Sequence, residues 1–161
     1  MIVKQEPFGR TDVVVNQRER LMSKFTPEEI AYLQSQRLGR LATVSEKGEP
    51  HVVPVSFRYN PVQDSIDIGG HNIVSTKKYR DAVRYGRVAF VVDDVLPPWK
   101  PRMIEVRGTV EGLPEGGKEI MEAFSPEILR ITPTRIISFG LNSDIVQPGQ
   151  ARVDFSSRKV G

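Results

Sequence analysis

The 161-residue chain contains no cysteine, which excludes disulfide bonds and thiolate metal sites. Its two histidines, His51 and His71, do not have the spacing of metal ligands, so we expect no protein-bound metal. No run approaches the ~20 apolar residues of a membrane helix, and the amino-terminal residues lack the apolar segment of a signal peptide. We therefore expect a protein of the cytoplasm that has no membrane partner.

The charge of the chain is also low. Its net charge is +3 at pH 7, and acidic residues are mixed with basic ones throughout, so we expect no nucleic-acid partner. A phosphorylated or polyanionic small ligand is enough to account for this mild excess of positive charge. The length and the 39% apolar content are those of one globular domain with a substantial core.

The stretch from residue 65 to residue 86 has the pattern of an anion-binding corner. Residues 65–68 alternate as in a strand, and residues 77–85 have the pattern of a helix that ends at Gly86. Between them, Ser75 and Thr76 are residue types that cap helices, because their hydroxyls accept from the first free amides. We therefore expect a strand, a corner and a capped helix in succession.

The predicted helix begins with two lysines, where acidic residues are usual. Lys77 and Lys78 add positive charge to a helix end that already carries about half a positive charge from aligned peptide dipoles. A phosphate would relieve this repulsion, whereas the alternative is a solvated cap whose lysines extend into water. The preceding residues 69–72 (GGHN) favour the phosphate, because two glycines let a ligand approach the backbone closely.

The rest of the chain is predicted to be mostly strands. Thr26, Pro27 and Glu29 form a capping-box helix start, and we expect that helix region to end at Gly39. Residues 118–130 have a helical pattern that Pro126 interrupts. The predicted strands are residues 40–45, 50–59, 65–68, 88–92, 102–111 and 134–139, of which 88–92 is apolar without alternation and is expected to be buried on both sides. Within the strand 102–111, we expect Glu105 and Arg107 to pair.

Short turns connect most of these strands, so their pairing is expected to be antiparallel. About six strands with few helices predict a mainly β (α+β) protein, a small closed barrel with short flanking helices. We divide the chain into an amino-terminal arm (residues 1–24), the barrel (25–142) and a carboxy-terminal tail (143–161). The tail has no clear pattern, and we expect it to be irregular and to pack on the barrel or on a partner subunit.

Two segments contain further candidate ligand contacts. Pro54 cannot donate to a strand ladder, so its strand has an edge or a bulge there. Together with the small Ser56 and the protruding Arg58, it can offer free backbone groups to a planar ligand; the alternative is an ordinary edge proline beside a surface arginine. Trp99 lies in a proline-rich loop, where it either folds back on the core or contacts a ligand or partner.

Four segments, taken in order, resemble the pyridoxamine-5′-phosphate-oxidase-like split β-barrel superfamily, whose fold is the FMN-binding split barrel. They are residues 38–43 (LGRLAT), 50–55 (PHVVPV), 76–81 (TKKYRD) and 87–94 (RVAFVVDD). Three later segments are similar to the branch of this family that depends on coenzyme F420, a deazaflavin. They are residues 98–102 (PWKPR), 104–108 (IEVRG) and 133–140 (PTRIISFG).

The resemblance implies a homodimer with two cofactor sites at the subunit interface. It places Lys78 at the family's phosphate-contacting lysine and Thr76 at its hydroxyl partner, and it puts the strand around Pro54 against the tricyclic ring. Phe139 departs from the pattern, since tryptophan is more usual there. The predicted cofactor-binding residues are Pro54, Val55, Ser56, Arg58, His71, Asn72, Thr76, Lys77, Lys78, Trp99 and Phe139.

The activity that the resemblance implies is hydride transfer between reduced F420 and a small organic substrate, which the sequence does not identify. The cofactor carries that chemistry, so no residue is predicted to be catalytic. A proton for the substrate can come from His71, Tyr59 or water. Two alternatives remain open: an FMN-binding oxidoreductase of the same family, and a non-catalytic split barrel that binds a flavin or haem.

Overall fold

A computed structural model describes residues 23–142 and 154–161. Its elements, in chain order, are α1 (Pro27–Ser35), β1 (Leu38–Val44), β2 (Pro50–Asn60), β3 (Ser65–Gly69), a 3₁₀ turn (Ile73–Ser75), α2 (Lys77–Tyr85), β4 (Arg87–Leu96), β5 (Lys100–Leu113), β6 (Ile128–Phe139) and β7 (Phe155–Lys159). None of the helices in these two ranges is long and apolar enough to cross a membrane.

The strands form one antiparallel sheet in the order β3-β2-β1-β4-β5-β6-β7. β3 also pairs with β6, which closes the first six strands into a barrel and leaves β7 beside β6. This arrangement confirms the predicted six-stranded antiparallel barrel with short flanking helices. The irregular conformation expected for the tail is wrong for Phe155–Lys159, because these residues extend along β6.

The barrel interior is filled by alternate residues of each strand. Leu41, Phe90, Ile104 and Ile136 are completely buried there, one from each of four strands. Gly39 lies in β1, and a Cβ at this position would come within 2.3 Å of the Phe90 ring. The prediction that Gly39 ends the helix region is therefore wrong: α1 ends earlier, and this glycine makes room for a core aromatic ring.

The strand predicted to be buried on both sides lies in β4 and is buried on one side only. Val88, Phe90 and Val92 point into the core, whereas Ala89 and Val91 lie on the outer face of the barrel and are partly exposed. An outer face with small and apolar side chains is unusual for a strand that faces only water.

The predicted helix over residues 118–130 is wrong. Residues 117–127 form a series of turns, and β6 begins at Ile128, six residues before the strand start that we predicted. Ile120 and Phe124 have helical spacing because both side chains pack against Gly69 at the end of β3. A backbone bond from Gly117 N to Pro126 O, 2.8 Å long, closes the segment into a compact loop.

Helix α1 is held at its amino end as the sequence predicts. The Thr26 hydroxyl accepts from Glu29 N, and the Glu29 carboxylate accepts from Thr26 N at 2.9 Å, which completes the capping box. Glu29 is almost fully buried and also accepts from Arg158 of β7 at 2.8 Å. Arg158 donates in addition to the carbonyl of Lys24 at 2.7 Å, so the last strand is tied to the first helix.

This contact makes the stability of the fold depend on pH. Burial raises the pKa of Glu29, but the bonds from Arg158 and from the Thr26 amide outweigh it and lower the pKa below its usual value of 4.5. The folded pKa is depressed, so the stabilisation is present above the unfolded pKa and is lost as the pH falls through the folded pKa. We expect the free energy of unfolding, measured with urea, to fall less between about pH 7 and about pH 3 in Arg158→Gln than in the wild type. Parallel pH profiles for the two proteins would contradict this assignment.

Candidate functional site

The corner between β3 and α2 has the predicted strand, turn and capped helix. Thr76 is the cap of α2: its hydroxyl accepts from Tyr79 N at 3.4 Å and donates to the carbonyl of Ile73 at 2.6 Å. The helix ends at Gly86, which has a φ of +72° that favours glycine. Asn72, just before the 3₁₀ turn, also has a left-handed backbone, with a φ of +47°.

The loop over residues 117–127 holds this corner in place. The hydroxyl of Ser125 donates to the carbonyl of Gly70 at 2.8 Å and accepts from Ile73 N at 3.4 Å. A Cβ on Gly69 would lie 2.9 Å from the Ile120 side chain, so the corner and the loop are in close contact. Ser125 was missed by sequence reasoning, because its segment had been interpreted as a helix.

The two lysines in the first turn of α2 differ in their surroundings. Lys77 forms an ion pair with Asp81 one turn later, and Asp81 is buried. Lys78 is half-buried, and within residues 23–142 and 154–161 it has no hydrogen-bond or acidic partner. Arg80 turns back and donates to the carbonyl of Ser75 at 2.6 Å. Among the described residues, no acidic side chain pairs with Lys78 or Arg80, and Lys78 also lacks any hydrogen-bond partner.

Strand β2 brings its outer face to the same corner, because Ser56 is aligned with Gly69 of β3. Between Pro50 and Val55, β2 pairs with β1 alone among the described strands, which confirms the edge expected at Pro54. Pro54 and Ser56 point outward, whereas Val55 is buried in the core. The Val55 side chain therefore faces away from the outer surface, and only its backbone could contact a ligand there.

Arg58 is the next outward residue of β2, and it is held by a buried carboxylate. Its guanidinium lies 3.7 Å from Asp67, which is completely buried and accepts from Arg130 at 2.7 Å and from Asn60 at 2.8 Å. Asp67 thus ties β2, β3 and β6 together. The Nε of Arg58 is buried and has no hydrogen-bond partner among the described residues, so one donor of this side chain remains unused.

The two side chains considered as proton donors lie in different environments. Tyr59 is buried in the core, and its hydroxyl donates to Asp64 at 2.9 Å. Burial, together with that carboxylate, raises the pKa of Tyr59 to about 12. His71 is exposed at the corner and packs edge-to-face on Phe124, with ring centroids 5.1 Å apart. Of the two, only His71 is positioned to face a molecule bound at the corner.

Trp99 and Phe139 lie away from this corner on the same chain. Trp99 is at the tip of the β4–β5 hairpin and is 77% exposed, so it does not fold back on the core. Phe139 ends β6 on the outer face, aligned with Met103 of β5 and Phe155 of β7. Strands β1 and β4 separate the Trp99 hairpin from β2, and Phe139 lies eight residues beyond Ile131, the last residue of β6 that pairs with β3. The remaining predicted site residues lie at or next to the corner. They are Pro54, Ser56 and Arg58 of β2, and His71, Asn72, Thr76, Lys77 and Lys78 of the corner and α2.

The barrel is of a kind found among solved structures. It is similar to an FAD-binding protein from Mycobacterium smegmatis, with a TM-score of 0.54 and 21% identity, over 71% of this chain and 93% of that one. It is also similar to a haem-binding protein from the same organism, with a TM-score of 0.56 and 15% identity, over 81% of this chain and 55% of that one. At these identities the likeness shows a shared split-barrel fold.

Sequence similarity identifies the family of the chain. Residues 25–138 match the pyridoxamine 5′-phosphate oxidase family, and the chain belongs to that family. Over 130 residues it is 42% identical to a 5a,11a-dehydrotetracycline/5a,11a-dehydrooxytetracycline reductase from Streptomyces rimosus. That alignment covers 80% of this chain and 92% of the reductase. The resemblance to the split-barrel superfamily is thereby confirmed.

Proposed function

We propose that this protein is an oxidoreductase that uses reduced coenzyme F420 to reduce a small organic substrate. Its similarity to a protein named as a reductase supports the reaction class. The observation that carries the proposal is Lys78, which is half-buried beside the Thr76 cap and has no partner among the described residues. An anionic cofactor would meet a cation and a helix amino end together there. The similarity to the dehydrotetracycline reductase further suggests an activated carbon–carbon double bond in a polycyclic, oxygen-rich molecule as the group reduced.

The residues at the corner fit a phosphate. Lys78 would supply the charge and the first-turn amides of α2 the hydrogen bonds, while Gly70 leaves the backbone open to close approach, since a Cβ there would meet no atom nearer than 3.9 Å. The exposed outer face of β2 at Pro54 and Ser56 would lie against the cofactor ring. When bound, the cofactor supplies the hydride. His71 would donate the proton that the substrate then needs.

The alternative is an FMN enzyme on the same barrel, because FMN also has a phosphate for Lys78. F420 carries more negative charge than FMN, in a phosphodiester and a polyglutamate tail. Lys78 and Arg80 lie at the amino end of α2, where they would attract that charge. We expect F420 to bind more tightly than FMN at low salt, and we expect the difference to shrink as the salt rises towards ~0.1 M, where the Debye length is about 10 Å. Parallel titrations of both cofactors over a salt series test this, and equal affinities at low salt would favour the FMN enzyme.

We also propose that the protein is a homodimer whose cofactor site includes residues of both subunits. Several large apolar side chains on the outer surface are more than half exposed: Leu38, Val52, Val95 and Trp99. The partly exposed Val91 of β4 belongs to the same outer face. A face of this kind is typical of a surface that a partner covers.

Light scattering of the purified protein is expected to give twice the chain mass of 18.1 kDa at micromolar concentration. Trp99→Asp places a charge at the most exposed of these apolar residues, so it is expected to shift the protein towards the monomer. Val62→Asp is a suitable control, since Val62 is 85% exposed in the turn after β2. A wild-type protein that remains a monomer with F420 bound would contradict the proposed dimer.

A further inference from the structure

A second binding surface lies on the outer face of the barrel, away from the corner. It is a groove of about 650 Å³ that crosses several strands, within the size range of sites for small molecules. We call it the cationic groove and define it by Ala42, Ala89, Arg87, Arg107, Arg135 and Lys159. The two alanines lie on β1 and β4, and the four basic residues lie on β4, β5, β6 and β7.

The strand register brings these cations together. Arg107 of β5 is aligned with Arg135 of β6, and Arg135 is aligned with Lys159 of β7. Like charges directly opposite each other destabilise a sheet, so three adjacent cations in one row need an offsetting charge. Arg87 of β4 lies beside the same row.

The described part of the chain supplies little negative charge to offset these cations. Glu105 pairs with Arg107 at 2.5 Å, while Arg135 donates to the neutral hydroxyl of Ser157 at 3.0 Å. Neither Arg87 nor Lys159 has an acidic partner within residues 23–142 and 154–161. No described side chain that lines the groove is acidic. Arg87, Arg135 and Lys159 therefore have no acidic side-chain partner among the described residues.

The alanine side of the groove adjoins the strand proposed to face the cofactor ring. Ala89 is aligned with Ala42, and Ala42 with Val52 of β2, which is two residues before Pro54. Small side chains at both alanines leave a shallow floor on which a flat molecule can lie. From β2 to Arg135 of β6 there are four strand spacings, about 19 Å measured along the sheet. A molecule of three or four fused rings covers most of this distance, and the long side chain of Arg135 can cover the rest.

We propose that the cationic groove binds the acidic group of a flat, elongated substrate whose reducible end lies near Pro54. This proposal rests on the proposed reductase function and narrows its substrate class to planar molecules that carry a carboxylate or an acidic enol at one end. The alanine floor accepts the rings, and Arg135 and Lys159 bind the anion. The groove thus orients the substrate relative to the cofactor.

The test uses 2,6-naphthalenedicarboxylate, a flat fluorescent dianion, titrated into the full-length protein at low salt. Its uncharged dimethyl ester is the matched ligand control. We expect the dianion to bind and the ester to bind at least tenfold more weakly. Arg135→Gln and Lys159→Gln are each expected to weaken dianion binding roughly three- to tenfold, because each removes one charge-assisted hydrogen bond at a partly exposed site.

Lys100→Gln is the matched protein control, because it removes the same charge as Lys159→Gln at the exposed far end of β5. It is expected to leave dianion binding within twofold of the wild type. Equal binding of the ester, or equal losses in Lys100→Gln and Lys159→Gln, would overturn the groove assignment.

Coenzyme F420 is titrated into the same variants, since its carboxylate tail is another source of negative charge. We expect Arg135→Gln to bind F420 as the wild type does, and F420 not to displace the dianion. Displacement, or weaker F420 binding in Arg135→Gln, would assign the groove to the cofactor and overturn the substrate assignment. Failure of F420 to bind the wild type would overturn the proposed function, whereas failure of the dianion to bind would overturn the groove.

Discussion

Lys78→Ala is expected to weaken F420 binding roughly ten- to hundredfold, since a charge-assisted bond to a phosphate contributes about 1.5–3 kcal/mol. Lys77→Ala is expected to change it far less. Adjacent helical residues point about 100° apart, so only one of the two lysines can face the phosphate squarely. Lys77 is already paired with Asp81, whereas Lys78 has no acidic partner among the described residues.

The two variants form a matched pair, because they remove the same charge from adjacent positions. Fluorescence titration of F420 into each measures the effect, and circular dichroism checks that both proteins fold. A larger loss of F420 affinity in Lys77→Ala would mean that Lys77 leaves Asp81 to bind the phosphate. Lys77, and not Lys78, would then be the residue that faces the ligand. Unchanged binding in both would show that the amino end of α2 is a solvated cap.

Arg130→Ala is expected to lower the free energy of unfolding by about 3 kcal/mol, because it leaves the completely buried Asp67 without its bidentate partner. Breaking a buried ion pair costs roughly 3–5 kcal/mol, and we expect the lower value since Asn60 and Arg58 remain beside the carboxylate. For a chain of this size the change corresponds to a drop in Tm of roughly 6–12 °C.

Thermal and urea unfolding of Arg130→Ala measure this loss. The control is Arg84→Ala, which breaks an exposed pair with Glu46 and is expected to cost less than about 1 kcal/mol. A similar loss in the two variants would mean that the Asp67 network adds nothing beyond an ordinary surface ion pair. F420 affinity of Arg130→Ala, measured well below its Tm, separates this structural role from any effect on the site.

Local signals in the sequence predicted most of the barrel. The capping box of Thr26 and Glu29 and the cap at Thr76 depend on residues within one turn, so both could be located from residue types alone. Alternation likewise located β2 and most of β5, whose outer and inner faces differ in polarity. The Glu105–Arg107 pair was also within reach, because the two residues lie on one face of one strand.

Contacts between distant segments could not be predicted in this way. Ile120 and Phe124 have the spacing of a helix, yet that spacing serves contacts with Gly69, about fifty residues earlier in the chain. The cations at Arg107, Arg135 and Lys159 are likewise far apart in sequence, and only the strand register aligns them. One signal was overlooked: Lys77 and Asp81 have the i,i+4 spacing that pairs opposite charges on a helix.

The bond between Arg158 and Glu29 spans 129 residues of sequence, which has a consequence for how the protein is made. During synthesis, α1 and most of the barrel leave the ribosome before β7 does. Glu29 therefore cannot bind Arg158 until the end of synthesis. Until then the nascent chain either keeps this carboxylate in water or holds it protonated, and in both cases the docking of α1 is incomplete. Since contacts between distant residues form late and slowly, the attachment of β7 is expected to be among the last folding steps. Because Arg158 of β7 stabilises the docking of α1, only a chain translated through β7 attains full stability.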